Sequence, residues 1–193
     1  MRRQFRVLIA VAAVALTSSC TGYVGVANDY PQYLINNRGE AKLPSTDGVS
    51  AYLLTPRAQD DRYEFRSWLA GPAVKWVVDF GKMLDDTFQS ADVQTAFDGL
   101  RKVDQPPAAG NTLVVDVRHY SFDHFSAHVS LEVSLERGGK VVFEKVYTQT
   151  GESQFGKMYW GAGFAQKNAV QQSTKLALDE IIRELIADLN ARA

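Results

Sequence analysis

Ala127-His128-Val129-Ser130-Leu131-Glu132-Val133-Ser134-Leu135-Glu136 alternates apolar and polar residues without a break. Successive side chains of a strand point to opposite faces, so Ala127, Val129, Leu131, Val133 and Leu135 share one face. His128, Ser130, Glu132, Ser134 and Glu136 share the other. One face meets a core and one meets water, the pattern of an antiparallel sheet. Upstream, Thr112 to Tyr120 places Leu113, Val115 and Val117 on one face. Downstream, Arg137-Gly138-Gly139-Lys140 reads as a tight hairpin turn, because glycine tolerates the positive φ such turns demand. Val141 to Gly151 returns as a third strand, and Lys145 within it points to an edge position. These three segments form a meander.

The flanking elements follow from periodicity. From about Ala162 to Asn190 the spacing predicts the longest helix, with Val170, Ala177, Leu178, Ile181, Ile182, Leu185 and Leu189 as its apolar stripe. That stripe is expected to lie across the meander. Lys175, Asp179 and Arg183, four apart, fall on the opposite side. Gly71-Pro72 opens a second predicted helix that runs through Phe88. On it Lys75, Asp79, Lys82 and Asp86 form a narrow charged stripe at spacings of 4, 3 and 4. The apolar arc is wide: Val74, Val77, Gly81, Leu84 and Phe88 on one side, Trp76, Phe80 and Met83 beside them. Either a second element covers the excess, or Trp76, Phe80 and Met83 border a partner or ligand contact. Val49 to Thr55 reads as a strand ended by Pro56, Tyr63 to Trp68 as a short strand or coil. Gln89 to Leu100 reads as a strand from the alternation of Ala91, Val93, Thr95 and Phe97. The fold class expected is α+β: a mainly antiparallel sheet with a three-strand meander and two helices packed on one face.

Composition excludes several functions. The chain has 193 residues, 46% of them hydrophobic, and a net charge of -1. No basic excess points to nucleic acid. Cys20 is the single cysteine, so neither an internal disulfide nor a cysteine-based metal site can form. No nucleophile-elbow sequence is present. Gly161-Ala162-Gly163 lacks the third glycine of a dinucleotide loop, since Gln166 stands in its place. His119, His124 and His128 fall within ten residues, and imidazole can hold zinc or copper. Solvated positions around a hairpin end are the simpler reading of these weak metal candidates. No cofactor and no enzymatic activity are expected. Phe155, Met158, Tyr159 and Trp160 sit among glycines in one loop, which either contacts a partner or lipid surface or folds over the end of the sheet.

The first residues say where the protein resides. Arg2, Arg3 and Arg6 precede ten apolar residues, Val7 to Leu16, and the small Thr17-Ser18-Ser19. This is the layout of a signal peptide, and ten residues rise only about 15 Å as a helix, too short to span a bilayer. Leu16-Thr17-Ser18-Ser19-Cys20 resembles the lipobox of bacterial lipoproteins, with Thr17 where that family usually carries leucine. The resemblance implies cleavage before Cys20 and its acylation. Thr21, rather than aspartate, follows, which by the same resemblance implies the periplasmic face of the outer membrane. Cleavage leaves 18 of the 21 basic residues against 22 acidic ones, a net charge of -4. The expected division is a signal peptide over 1–19, a lipidated tether over 20–47 with one ordered piece near Tyr30 to Ile35, and a single α+β domain over 48–193.

The order of lipobox, strand, helix, meander and long C-terminal helix resembles small Gram-negative envelope lipoproteins of the YajG-like kind. It is similar in layout to auxiliary lipoproteins of lipid-transport ABC systems. Leu113 to Tyr120, Ala127 to Gly151 and Ile181 to Leu189 carry that resemblance. It implies a non-enzymatic domain that binds or assembles with an envelope partner. The alternative is a carrier or receptor for a small apolar ligand such as a lipid, held between helix and sheet. A large apolar cavity favours the carrier and a filled core favours the assembly component.

Overall fold

The computed structural model describes residues 22–66, 74–153 and 162–192. Among these residues, two mixed sheets and five α-helices share one hydrophobic core. The meander is as expected. Strands β6 (Asn111–Asp123), β7 (Ser126–Arg137) and β8 (Lys140–Glu152) pair antiparallel in sequence order. Ala127, Val129, Leu131, Val133 and Leu135 are all buried. Gly138 and Gly139 adopt φ values of 56° and 75°, which explains the two glycines of that turn.

The larger sheet is mainly antiparallel, as expected, with parallel pairs added on one side of the meander. Its order is β5-β2-β6-β7-β8, where β2 (Ala51–Leu54) runs parallel to both β5 (Arg101–Lys102) and β6. The smaller sheet has the order β1-β4-β3. In it β1 (Gly22–Gly25) is parallel and β3 (Arg62–Arg66) antiparallel to β4 (Val74–Asp79).

Three expectations need correction. First, Val74 to Asp79 is strand β4, not the start of a helix. The β-branched Val74, Val77 and Val78 suit a strand between two partners. Helix α3 (Phe80–Phe88) begins only there, with the Asp79 carboxylate accepting the Lys82 N–H at 3.3 Å as its N-cap. Second, Ala91–Ala96 is helix α4, capped by Ser90, whose hydroxyl accepts the Val93 N–H at 3.5 Å. Third, order in the expected tether extends beyond the piece near Tyr30 to Ile35, back to Gly22. After β1, a 3-10 turn at Ala27–Asp29 leads into helix α1 (Tyr30–Asn36). Val26 and Tyr30 are fully buried. The Tyr30 hydroxyl bonds the Thr87 hydroxyl at 3.3 Å, tying α1 to α3.

Helix α5 (Ala162–Asn190) lies across the apolar face of β7 and β8. All seven residues of its expected stripe are buried. Its approach to β8 is close because residue 151 is glycine. A Cβ there would stand 2.7 Å from the Ala177 nitrogen and 2.9 Å from the Ser173 carbonyl carbon. Polar contacts hold the other end of the contact line. Asp188 accepts hydrogen bonds from the Lys145 ammonium at 2.6 Å and the Tyr147 hydroxyl at 2.8 Å. Gly81 plays a similar part near α2 (Pro56–Gln59), where a Cβ would meet the Ala58 and Gln59 backbone. Among the described residues no helix is long and apolar enough to cross a membrane.

Candidate functional site

Trp76, Phe80 and Met83 are core residues rather than a contact surface. Each is at most 1% exposed. They occupy a strand and the following helix, so the wide arc read along one helix is divided between two elements. Phe65 stacks on Trp76 with centroids 6.2 Å apart, and Phe80 stacks on Tyr120 at 4.2 Å. The Trp76 indole N–H is buried with no hydrogen-bond partner among the described residues. Cys20, Phe155, Met158, Tyr159 and Trp160 lie outside the described residues.

The histidines do not converge on one point. His119 and His128 sit on the outer face of the meander, hydrogen-bonded at 3.0 Å to the hydroxyls of Ser121 and Thr150. His124 lies in the β6–β7 turn, 2.7 Å from the Asp123 carboxylate and almost wholly exposed. No group of three metal-ligating side chains occurs among the described residues.

Two places gather chemistry that the sequence reading missed. The first is a cleft of about 280 Å³ between α1, the α3–α4 junction and α5. At its floor the Lys175 ammonium and Asp179 carboxylate pair at 2.5 Å, their side chains only 4% and 10% exposed. These residues were expected on the solvent side of α5. Helices α1 and α3 cover them instead, and nothing in an i,i+4 Lys–Asp spacing distinguishes the two cases. Burial pushes the Asp179 carboxyl above its ordinary range, against the pull of Lys175, and nearby Asp92 adds to the rise. Burial likewise raises Asp86 on the cleft wall, against the pull of the Lys82 ammonium 2.7 Å away. Asp92 accepts the Gly39 N–H on both oxygens, at 2.9 and 3.0 Å. The one hydroxyl lining the cleft, Ser90, caps α4. The described residues of the lining therefore offer paired charges but no nucleophile held by a base.

The second place is an aromatic end. A cleft of about 360 Å³ is lined by Tyr63, Phe65, Phe122 and Phe125, with Arg66 and Gln166 beside them. Phe65 lies 5.2 Å from Phe122 and 5.9 Å from Tyr63, measured between ring centroids. The turn supplying Phe125 is strained. His124 and Phe125 adopt φ values of 45° and 64°, a conformation that two-residue hairpin turns usually give to asparagine and glycine. Each non-glycine residue there costs about 1–2 kcal/mol. The Ser153 hydroxyl and N–H both donate to the Phe125 carbonyl, at 2.8 and 3.2 Å, and fix the turn to the end of β8.

Comparison with known proteins adds similarity of low degree. Neither a family model nor a curated protein matches the chain. Among solved structures, a Xanthomonas campestris protein assigned to the DUF330 family model aligns at 16% identity with a TM-score of 0.48. It covers 78% of this chain and 91% of that one. A hypothetical protein from Chlamydia trachomatis aligns at 10% identity and TM-score 0.41, covering 74% and 96%. A minor lipoprotein from Acinetobacter baumannii aligns at 12% identity and TM-score 0.37, covering 77% and 95%.

Proposed function

We propose that the chain is a non-enzymatic lipoprotein of the outer membrane, anchored through acylated Cys20 and facing the periplasm. There it acts as a binding or assembly component of the cell envelope. The observation that carries this reading is the lone cysteine directly behind a ten-residue apolar run and three small residues. Several acyl chains on one residue exceed the marginal binding of a single chain, so the anchor holds. Between α5 and the meander the space is filled: Leu131, Val133, Tyr147, Leu178, Ile182 and Leu185 are each about 1% exposed or less. A filled interlayer favours contacts made at the surface over a lipid carried inside.

The test is expression of the full-length chain and a Cys20→Ala form in a Gram-negative host, followed by membrane fractionation and intact mass of the mature N-terminus. Acylated Cys20 in the outer-membrane fraction, lost in the variant, is the expected result. An unmodified, soluble periplasmic product overturns the proposal.

A further inference from the structure

The register of β1 fixes where the anchor leaves the domain. Gly22 pairs with Val74, the first residue of β4, and the next β4 residue, Lys75, pairs with Arg66, the last of β3. Arg66 also lines the aromatic cleft with Phe65, the Asp123-His124-Phe125 turn and Gln166 near the start of α5. Ser153 is bonded to Phe125. Gly22, Arg66, Val74, the β6–β7 turn, Ser153 and the start of α5 thus gather at one end of the molecule. The Gly138-Gly139 turn lies at the other, a β7 length of about 37 Å away.

Only Thr21 separates Gly22 from Cys20. Two trans peptide steps of about 3.8 Å let the Cys20 Cα lie at most about 7.6 Å from that of Gly22, whatever the path. An acylated sulfur sits at headgroup depth, and each headgroup layer is only about 5–8 Å thick. The domain therefore cannot be lifted far from the bilayer. The chain leaves and re-enters the described structure at this same end twice more.

We infer that this end of the domain rests directly on the bilayer surface, with the His124–Phe125 turn at the lipid headgroups. The inference rests on acylation of Cys20. The occupant is a lipid surface because the permitted anchor length forces contact there, and because the aromatic cleft at this end matches the interfacial preference of aromatic side chains. The β6–β7 turn is about a hundred residues from the anchor in sequence, so its contact with lipid would not follow from the anchor alone. Its strained backbone holds His124 outward and Phe125 against the cleft.

The test uses the acylated full-length product in vesicles of phosphatidylethanolamine and phosphatidylglycerol. A photoreactive benzoyl-phenylalanine is placed at His124 or, as the distal control, at Lys140. Irradiation is expected to yield phospholipid adducts at His124 and only background at Lys140. Background at both sites, with acylated Cys20 confirmed by intact mass, overturns the docking and leaves the lipoprotein reading intact. An adduct to a second copy of the chain at His124 in place of lipid overturns it equally. An unmodified Cys20 sinks the lipoprotein reading, and the docking with it.

Discussion

Replacing Gly151 by alanine isolates the helix–sheet contact in one methyl group. The new Cβ would lie 2.7 Å from the Ala177 nitrogen and 2.9 Å from the Ser173 carbonyl carbon, and closer still to the Ser173 oxygen. These are backbone atoms inside a 29-residue helix, so no side chain can rotate away. Carbon contacts are comfortable at about 3.5–4.0 Å, so α5 must retreat from β8 by something on the order of 1 Å. That retreat stretches the Asp188 bonds to Lys145 and Tyr147 and opens the layer around Leu178 and Ile181. Overpacking of this kind costs about 1–3 kcal/mol, and immovable backbone places the cost at the upper end. Gly151 does not have positive φ, so alanine fits its backbone and recovers about 0.4–1 kcal/mol through the unfolded chain. The net loss is about 2 kcal/mol, or about 4–8 °C in Tm for a chain of this size. Urea and thermal melts of Gly151→Ala measure it. Gly22→Ala, where nothing lies within 4 Å of an added Cβ, is the control. A Gly151→Ala midpoint equal to wild type would refute the close-packing argument.

The buried pair predicts strong non-additivity. Lys175→Met alone strands the Asp179 charge, and Asp179→Leu alone strands the Lys175 charge, each costing about 3–5 kcal/mol. The double variant should return close to wild type in a urea-melt cycle, and two harmless single variants would show the pair to be well hydrated. Asp188 gives a pH signature. The hydrogen bonds from Lys145 and Tyr147 hold its carboxyl below the ordinary 3.8. Its stabilisation is thus present above 3.8 and is lost as pH falls through the lower folded-state value. Asp188→Asn should lower the urea midpoint at neutral pH and lessen the decline on acidification. A variant that keeps the wild-type acid decline contradicts that assignment.

The meander and α5 were legible because one period dominates each. Alternation over ten residues at Ala127 to Glu136 can only place five side chains on a core. The stripe from Val170 to Leu189 admits one buried face. The errors fall where two elements meet without a break. Lys75, Asp79, Lys82 and Asp86 imitate a helical stripe although the first two belong to β4, and the cap at Asp79 marks the true boundary. At α4 the alternation of Ala91, Val93 and Thr95 outweighed Ser90, although serine three residues before Val93 is an N-cap arrangement. β1 and α1 are too short for a period to show, and glycine at both ends of β1 looks like a linker. Of the functional places, the proposed anchor rests on local chemistry at Cys20 alone, which lies outside the described residues. The buried Lys175–Asp179 pair was not legible, since its burial comes from α1 and α3, distant in sequence. The aromatic end was not legible either, because it is assembled from four separate parts of the chain.

One contact bears on how the molecule reaches this state. The Gln171 side-chain amide donates to the Val26 carbonyl at 3.0 Å and to the Asp29 carboxylate at 2.8 Å. The Lys167 ammonium joins Asp29 at 2.6 Å. The two Gln171 bonds close loops of 145 and 142 residues, and such closures are entropically slow. A chain delivered amino end first exposes Val26 and Tyr30 until α5 has followed. The amino-terminal segment is then the last to settle, and until α5 has followed, Val26 and Tyr30 stand without the cover it gives them.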